Sequence, residues 1–126
     1  MKEYEFPSPD QHKGYALFPE ELENDPYVLF HGTAEKNLKS IINQGFKAFP
    51  PLASVSYAKQ SSSCLGHVCS KRSSQHSEND VVIAVRFISL DLQGIVQNHS
   101  DIHVYKPEIQ PEIIGYCVIP SSYNHK

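Results

Sequence analysis

A histidine and a glycine stand together near the start of this chain, at His31 and Gly32, directly after the apolar run Tyr27–Phe30. An imidazole can donate or accept a hydrogen bond through its ring nitrogens. Glycine has no Cβ, so a ligand can approach its main chain closely. The pair, with Thr33 beside it, is typical of a small-molecule site, although three residues are too few to identify the ligand.

The surrounding residues predict the elements that hold this pair. The run Tyr27–Phe30 is bulky and apolar, which predicts a short buried strand. Thr33 is suited to the N-cap of a following helix and Gly45 to its C-cap. Between them the apolar residues have the spacing of one helical face, at Ala34, Leu38, Ile41 and Ile42. We therefore expect His31 and Gly32 to lie at a junction between a strand and a helix.

The string LFHGTAEKNLKSIINQGFK, residues 29–47, resembles the first motif of the ADP-ribosyltransferase family, poly(ADP-ribose) polymerase branch. In that family a His-Gly-Thr or His-Gly-Ser follows a strand and precedes a helix that ends in Gly-Phe. The resemblance implies an NAD site in which His31 hydrogen-bonds the adenosine ribose and the main chain of Gly32 pairs with the nicotinamide carboxamide. Thr33 belongs to the same cofactor-binding motif.

A second stretch, SYAKQSSS at residues 56–63, resembles the family's tyrosine and the serine-rich helix start that follows it. The resemblance implies that Tyr57 stacks on nicotinamide, a contact that contributes roughly 1 kcal/mol. One of Ser61, Ser62 and Ser63 would then hydrogen-bond the carboxamide. If Ser56 instead occupies the tyrosine position, Tyr57 points the other way and packs in the core, because successive strand residues face opposite sides.

A third stretch, DIHVYKPEIQPEIIGY at residues 101–116, resembles the family's acidic residue and its Pro-Glu string. Asp101 stands where polymerising members carry glutamate. The resemblance implies that its carboxylate stabilises the positive charge that develops on the ribose as the bond to nicotinamide breaks. Aspartate is one methylene shorter, so we expect transfer of a single ADP-ribose. His103 alternates with Ile102 and Val104, so it either lines the cleft or simply faces solvent, and we expect the second.

Cysteine and histidine residues suggest one further chemistry, a zinc site. Cys64, His67 and Cys69, with His76 further on, are zinc-ligand types, but their spacing matches no standard module. The first three cannot all converge if their segment is helical. We therefore expect no metal, and we interpret the cysteines as small buried hydrophobes.

The net charge of −3 is unevenly distributed. Residues 1–30 carry seven acids and two lysines, whereas residues 31–77 carry six basic residues and one acid. A basic middle third suits a ligand with phosphates, either a dinucleotide or RNA. The alternative is a solvated basic face with no ligand.

Length and pattern predict an α+β protein, with an extended lead-in over residues 1–14 and a single domain over residues 15–126. By the resemblance, that domain is ADP-ribosyltransferase-like. The most strand-like run, Val81–Ile88, predicts a central strand. A helix is expected over residues 59–70, with Cys64, Leu65 and Val68 on one face, and a closing strand is expected over Ile113–Ile119. By the resemblance, the fold is a split, mostly antiparallel sheet with short flanking helices around an NAD cleft.

The three motifs occur in family order over residues 27–119 and predict an NAD-dependent mono-ADP-ribosyltransferase with a protein or nucleic-acid acceptor. His31, Tyr57 and Asp101 would be its catalytic residues. Two alternatives stay open. The missing glutamate favours a catalytically silent module of the same fold that binds NAD, ADP-ribose or a protein. The basic middle third favours an RNA-directed transferase or an RNA 2′-phosphotransferase.

The sequence has no apolar stretch of membrane-spanning length and no hydrophobic signal core at its N-terminus. We therefore expect no membrane partner and a monomeric cytoplasmic protein, unless a specialised secretion system delivers it to a target cell. The small size suits a toxin or host-defence effector.

Overall fold

The computed structural model describes residues 1–72 and 78–123, and within them the chain folds around one seven-stranded sheet. The strands are β1 (Lys2–Tyr4), β2 (Val28–Ala34), β3 (Val55–Ala58), β4 (Asp80–Arg86), β5 (Ile95–Gln97), β6 (Asp101–Val104) and β7 (Glu112–Ile119). Their order across the sheet is β1-β7-β4-β2-β3-β6-β5. Neighbouring strands are antiparallel except β1 and β7, which are parallel. The α+β class and the mostly antiparallel sheet are confirmed.

The described residues form three short α-helices, α1 (Glu20–Glu23), α2 (Leu38–Gln44) and α3 (Ser61–Ser70). The buried residues of α3 recur at three- and four-residue spacing, so one face of the helix lies against β2. Those buried residues are Ser61, Cys64, Leu65 and Val68. The helix expected over residues 59–70 is thus present and begins two residues later.

Strand β4 is the centre of the sheet. Its residues Val81–Val85 have no exposed surface, because β2 and β7 pair with its two edges and apolar layers cover both of its faces. This confirms the central strand predicted from the apolar run. The strand ends at Arg86, however, and Ile88 is fully exposed.

Alternation along β2 divides the core into two layers. Phe30 belongs to the layer beneath α3, which we call the α3 side. Leu29 belongs to the opposite layer, which we call the α2 side because Leu38 and Ile41 of α2 pack against it. The α2 side also contains Phe46, Tyr57, Val85, Phe87 and Ile102.

The prediction that β2 breaks at His31 is wrong. Strand β2 continues to Ala34, because β4 pairs with it at every position from Val28 to Ala34. Thr33 therefore lies in the strand and is not an N-cap. The helical segment starts later, as a 3-10 turn over Glu35–Asn37 that leads directly into α2.

Strands β2 and β3 separate almost as soon as they meet. Their ladder contains the single pair Phe30–Ala58. On its other edge β3 pairs along its full length with β6. The two strands therefore leave a gap beside His31 and Gly32 that lies in the middle of the sheet.

The N-terminal lead-in is part of the fold. Strand β1 lies along β7, and two edge-to-face aromatic pairs, Tyr4 with Phe18 and Phe6 with Tyr123, hold the segment against the domain. Nowhere in residues 1–72 and 78–123 is there a helix with the length and hydrophobicity needed to span a bilayer.

Candidate functional site

A cavity of about 260 Å³ opens where β2 and β3 separate. We call it the central cavity. Five residues expected from the sequence line it, and they come from β2, β3, α3 and β6: His31, Gly32, Tyr57, Ser63 and Asp101. Residues that are far apart in the chain thus meet at one gap in the sheet.

His31 closes one side of this gap. Its Nδ1 lies 2.8 Å from the main-chain oxygen of Ser56. Because a carbonyl oxygen only accepts, Nδ1 carries the hydrogen and Nε2 of the neutral ring is left as an acceptor. Burial lowers the pKa of His31, and the nearby charge of His67 lowers it further, while the bond to Ser56 acts in the opposite direction. A neutral imidazole with Nε2 as acceptor suits a hydroxyl ligand such as a ribose.

Gly32 has a packing reason to be glycine that the sequence does not reveal. A Cβ at this position would lie 2.9 Å from Cγ1 of Val68 and 3.4 Å from Cβ of Cys64. Helix α3 therefore occupies the space that we assigned to a ligand. The main chain of Gly32 still lines the central cavity, so its expected pairing with a carboxamide stays a prediction.

Tyr57 is in the core, with 1% of its surface exposed. Its ring makes edge-to-face contacts with Phe46 and Phe87 and lies beside His31. Ser56, its neighbour, is exposed and lines the cavity. This is the arrangement expected if Ser56 occupies the family's tyrosine position. A ring so enclosed offers little area for stacking on nicotinamide.

The three candidate serines have different environments. Ser61 is fully buried: its hydroxyl donates to the Glu23 carboxylate and accepts from the main-chain N–H of Leu17. It ties α3 to α1 and is not available to a ligand, which corrects its assignment to the site. Ser62 is half-buried and does not line the cavity, whereas Ser63 is exposed and does. Ser63 is thus the serine placed to meet a carboxamide.

Asp101 is the first residue of β6, and 40% of its side chain is exposed. Its Oδ1 accepts from Nδ2 of Asn98 at 2.9 Å and its Oδ2 lies 3.2 Å from Nε2 of His103. The bond from Asn98 is the main cause that holds the pKa of Asp101 below its usual value, and His103 adds to it. The carboxylate is therefore ionised and held in one orientation.

The expectation that His103 simply faces solvent is wrong. Its Nδ1 is 3.0 Å from the hydroxyl of Ser54, and its Nε2 bonds Asp101. The chain Ser54–His103–Asp101 fixes the imidazole from both sides. His103 is therefore a positioning residue for Asp101.

Sequence reasoning missed His67. It lines the central cavity one helical turn after Ser63, and both side chains are exposed. The spacing of four residues on the expected helix was the available signal. Cys64, between them, also lines the cavity, and burial raises the pKa of its thiol to about 12, so it is not a thiolate at neutral pH.

A larger cavity of about 570 Å³ adjoins the central one. We call it the outer cavity. The two share His31 and Ser56. Polar residues from β2, the 3-10 turn, α2 and the segment after it line the outer cavity: Thr33, Asn37, Ser40, Gln44 and Lys47. The two cavities therefore meet at the residues that the Nδ1 hydrogen bond of His31 joins.

Part of the basic middle third has a structural role. The guanidinium of Arg72 bonds Asp80 at 2.8 Å and also donates to main-chain oxygens of Ile119, Pro120 and Tyr123. Arg72 is therefore committed to joining α3 to the end of β7. Lys47, by contrast, lines the outer cavity.

Among residues 1–72 and 78–123, no three His, Cys, Asp or Glu side chains form a group that could hold a metal ion. His76 of the weighed zinc motif lies outside the described residues. No protein-family model matches the chain, and no curated protein matches it. The resemblance stated above therefore depends on the three motifs alone.

Proposed function

We propose that the protein is an NAD-dependent mono-ADP-ribosyltransferase. One observation carries the proposal: His31, Gly32, Ser63 and Asp101, drawn from three motifs spread over seventy-one positions, line one cavity at a gap in the sheet. Convergence of this kind is unexpected if the motifs are chance strings. It is also where a split sheet would admit a flat ligand.

The two adjoining cavities suit the two halves of NAD. The central cavity would take nicotinamide and its ribose, with Ser63 and the main chain of Gly32 facing the carboxamide. The outer cavity would take the adenosine half, with Lys47 near the diphosphate. His31 lies between them, and its Nε2 would accept a hydrogen bond from the adenosine ribose.

In the reaction the bond between the ribose C1′ and the nicotinamide nitrogen breaks, and nicotinamide leaves with the bonding electrons. The acceptor's nucleophile then bonds C1′ and loses its proton. Asp101 would stabilise the cationic sugar through its ionised carboxylate. Asn98 and His103 would keep that carboxylate charged and oriented as the sugar charge develops.

A silent binding module is the second candidate, and one observation favours it. Both oxygens of Asp101 already have partners within the chain, and aspartate is shorter than the family's glutamate. A carboxylate so held would contact the ribose only if the sugar lies close to β6. The two candidates agree on NAD binding and differ in turnover.

The test is incubation with NAD labelled in its adenosine half, following nicotinamide release and label in protein and in added RNA. The transferase predicts release with transfer, lost in His31→Ala and Asp101→Asn and retained in His12→Ala, a control at an exposed histidine. No release, with NAD still raising Tm, would favour the silent module. No release and no change in Tm would refute the NAD proposal.

A further inference from the structure

A third cavity, of about 430 Å³, lies on the α2 side of β3 and β6. We call it the β6 cavity. Its floor is apolar, formed by Phe46, Val55, Val104 and Ile109, and Tyr57 is part of its wall. Lys47, Tyr105 and Lys106 also line it. It shares Phe46, Lys47 and Val55 with the outer cavity, whereas Val104, Lys106 and Ile109 do not line the outer cavity.

The hydroxyl of Tyr57 is the feature that calls for a ligand here. Tyr57 and Val55 share the α2 face of β3, so the tyrosine side chain lies on the same side of the sheet as the β6 cavity. In the described part of the chain this hydroxyl makes no hydrogen bond, and burial alone raises the pKa of Tyr57. A buried hydroxyl without a partner is unusual in a folded protein. An acceptor inside the cavity would satisfy it.

Two lysines give the same cavity a positive rim. The stem of Lys106 packs over the turn at Gly94, where an added Cβ would lie 2.6 Å from Cγ of the lysine. Lys47 bonds the side chain of Gln44 at 3.1 Å. Within residues 1–72 and 78–123 neither lysine forms an ion pair. Both charges are therefore available to an anion.

One wall of the β6 cavity is held in place by the side chain of Gln110. The Gln110 side chain accepts from the N–H of Phe46 at 2.8 Å and donates to the carbonyls of Phe46 and Pro107, each at 2.9 Å. Tyr105 stands at the mouth with 49% of its surface exposed. An exposed ring beside a positive rim is suited to stacking on a flat base.

We infer that the β6 cavity binds a nucleoside monophosphate unit, either free or as the end of a single-stranded nucleic acid. A base carbonyl or ring nitrogen would accept from the Tyr57 hydroxyl, and the phosphate would lie between Lys47 and Lys106. A fatty acid would meet the lysines equally well, but its alkyl chain would leave the hydroxyl unpaired. The inference does not depend on NAD chemistry at the central cavity.

The test is titration of the ¹⁵N-labelled protein with uridine 5′-monophosphate, uridine and inorganic phosphate, followed by NMR. The monophosphate should shift Val104, Lys106 and Ile109, which do not line the outer cavity. Uridine or phosphate should bind at least about tenfold more weakly, since each lacks one of the two recognised groups. Lys106→Gln should weaken binding of the monophosphate about tenfold. Lys39→Gln, the same change at an exposed lysine outside the cavity, should not.

Tyr57→Phe gives a second, independent readout. Removing an unpaired buried hydroxyl should raise Tm of the ligand-free protein and should weaken binding of the monophosphate. A lower Tm would show that the hydroxyl already has a partner and would overturn the inference. Shifts confined to the outer cavity, or equal affinity in Lys106→Gln and Lys39→Gln, would also overturn it.

A 5′-phosphorylated single-stranded oligonucleotide distinguishes the two sources of the unit. Tighter binding of the oligonucleotide than of the monophosphate would assign the cavity to nucleic-acid ends, and equal binding would assign it to free nucleotides. If NAD is neither bound nor cleaved while the monophosphate still shifts the β6 cavity, the proposed transferase fails and this inference stands.

Discussion

Replacing Gly32 with alanine tests whether packing or ligand approach requires glycine at this position. The new Cβ would lie 2.9 Å from Cγ1 of Val68, a distance that real Cβ contacts essentially never show. Val68 is buried, and Leu65 on the same helix has no exposed surface, so α3 cannot move away freely. Overpacking of this kind costs about 1–3 kcal/mol. For a chain of this length we expect Tm to fall by roughly 4–12 °C.

The assay is thermal unfolding followed by circular dichroism, with two further variants. Gly66→Ala is the matched control, because a Cβ there meets nothing within 4 Å and alanine favours a helix. It should stabilise the protein by about 0.5–1 kcal/mol. Val68→Ala removes Cγ1, so in its background Gly32→Ala should cost less, with a coupling energy on the order of 1 kcal/mol.

The opposite pattern would refute the packing argument. If Gly32→Ala keeps the Tm of the parent protein but no longer binds NAD, the glycine is required for ligand approach. If Val68→Ala does not reduce the cost of Gly32→Ala, the destabilisation arises elsewhere than at the contact with Val68.

Three further predictions concern stability and binding. Arg72→Ala should destabilise the fold by about 3–5 kcal/mol in urea unfolding, because it removes one partner of an ion pair whose side chains are only 8% and 11% exposed. Arg86→Ala, which removes a pair with side chains 44% and 28% exposed, should cost at most about 1 kcal/mol, and equal costs would contradict the role assigned to Arg72. Ser61→Ala should lower Tm without affecting the central cavity directly, whereas Ser63→Ala should keep Tm and weaken NAD binding measured by calorimetry. The opposite result for the two variants would mean that Ser61 binds the ligand and Ser63 stabilises the fold. The pKa of His31 is lower in the folded than in the unfolded chain, so the unfolded chain binds the extra proton and stability falls as pH drops below about 6.5. Urea unfolding at pH 7 and pH 5 should show a smaller loss in His31→Asn, and an unchanged loss would mean that His31 is not protonated on unfolding.

Much of the architecture follows from local sequence pattern. The apolar run at residues 81–88 predicted the central strand, and the spacing of Cys64, Leu65 and Val68 predicted α3. Both signals are local, because they depend on which face of one element is apolar. The motifs around His31 and Asp101 also predicted residues that meet at one cavity.

Other features were decided by contacts between distant segments. Strand β2 continues through His31 because β4 pairs with it, and no residue near position 31 encodes that ladder. Ser61 and Ser63 have equal chemistry in the sequence. The hydroxyl of Ser61 nevertheless donates to Glu23, thirty-eight positions earlier, whereas Ser63 lines the central cavity.

The sequence by itself determined the class of fold, the principal strands, the helix α3 and the candidate residues. Only the tertiary structure decided which face Tyr57 presents, why position 32 is glycine, and that His103 holds Asp101. The physical reason is the same in each case. Periodicity determines which side chains share a face, but only packing against other segments determines what covers that face and what it leaves open to a ligand.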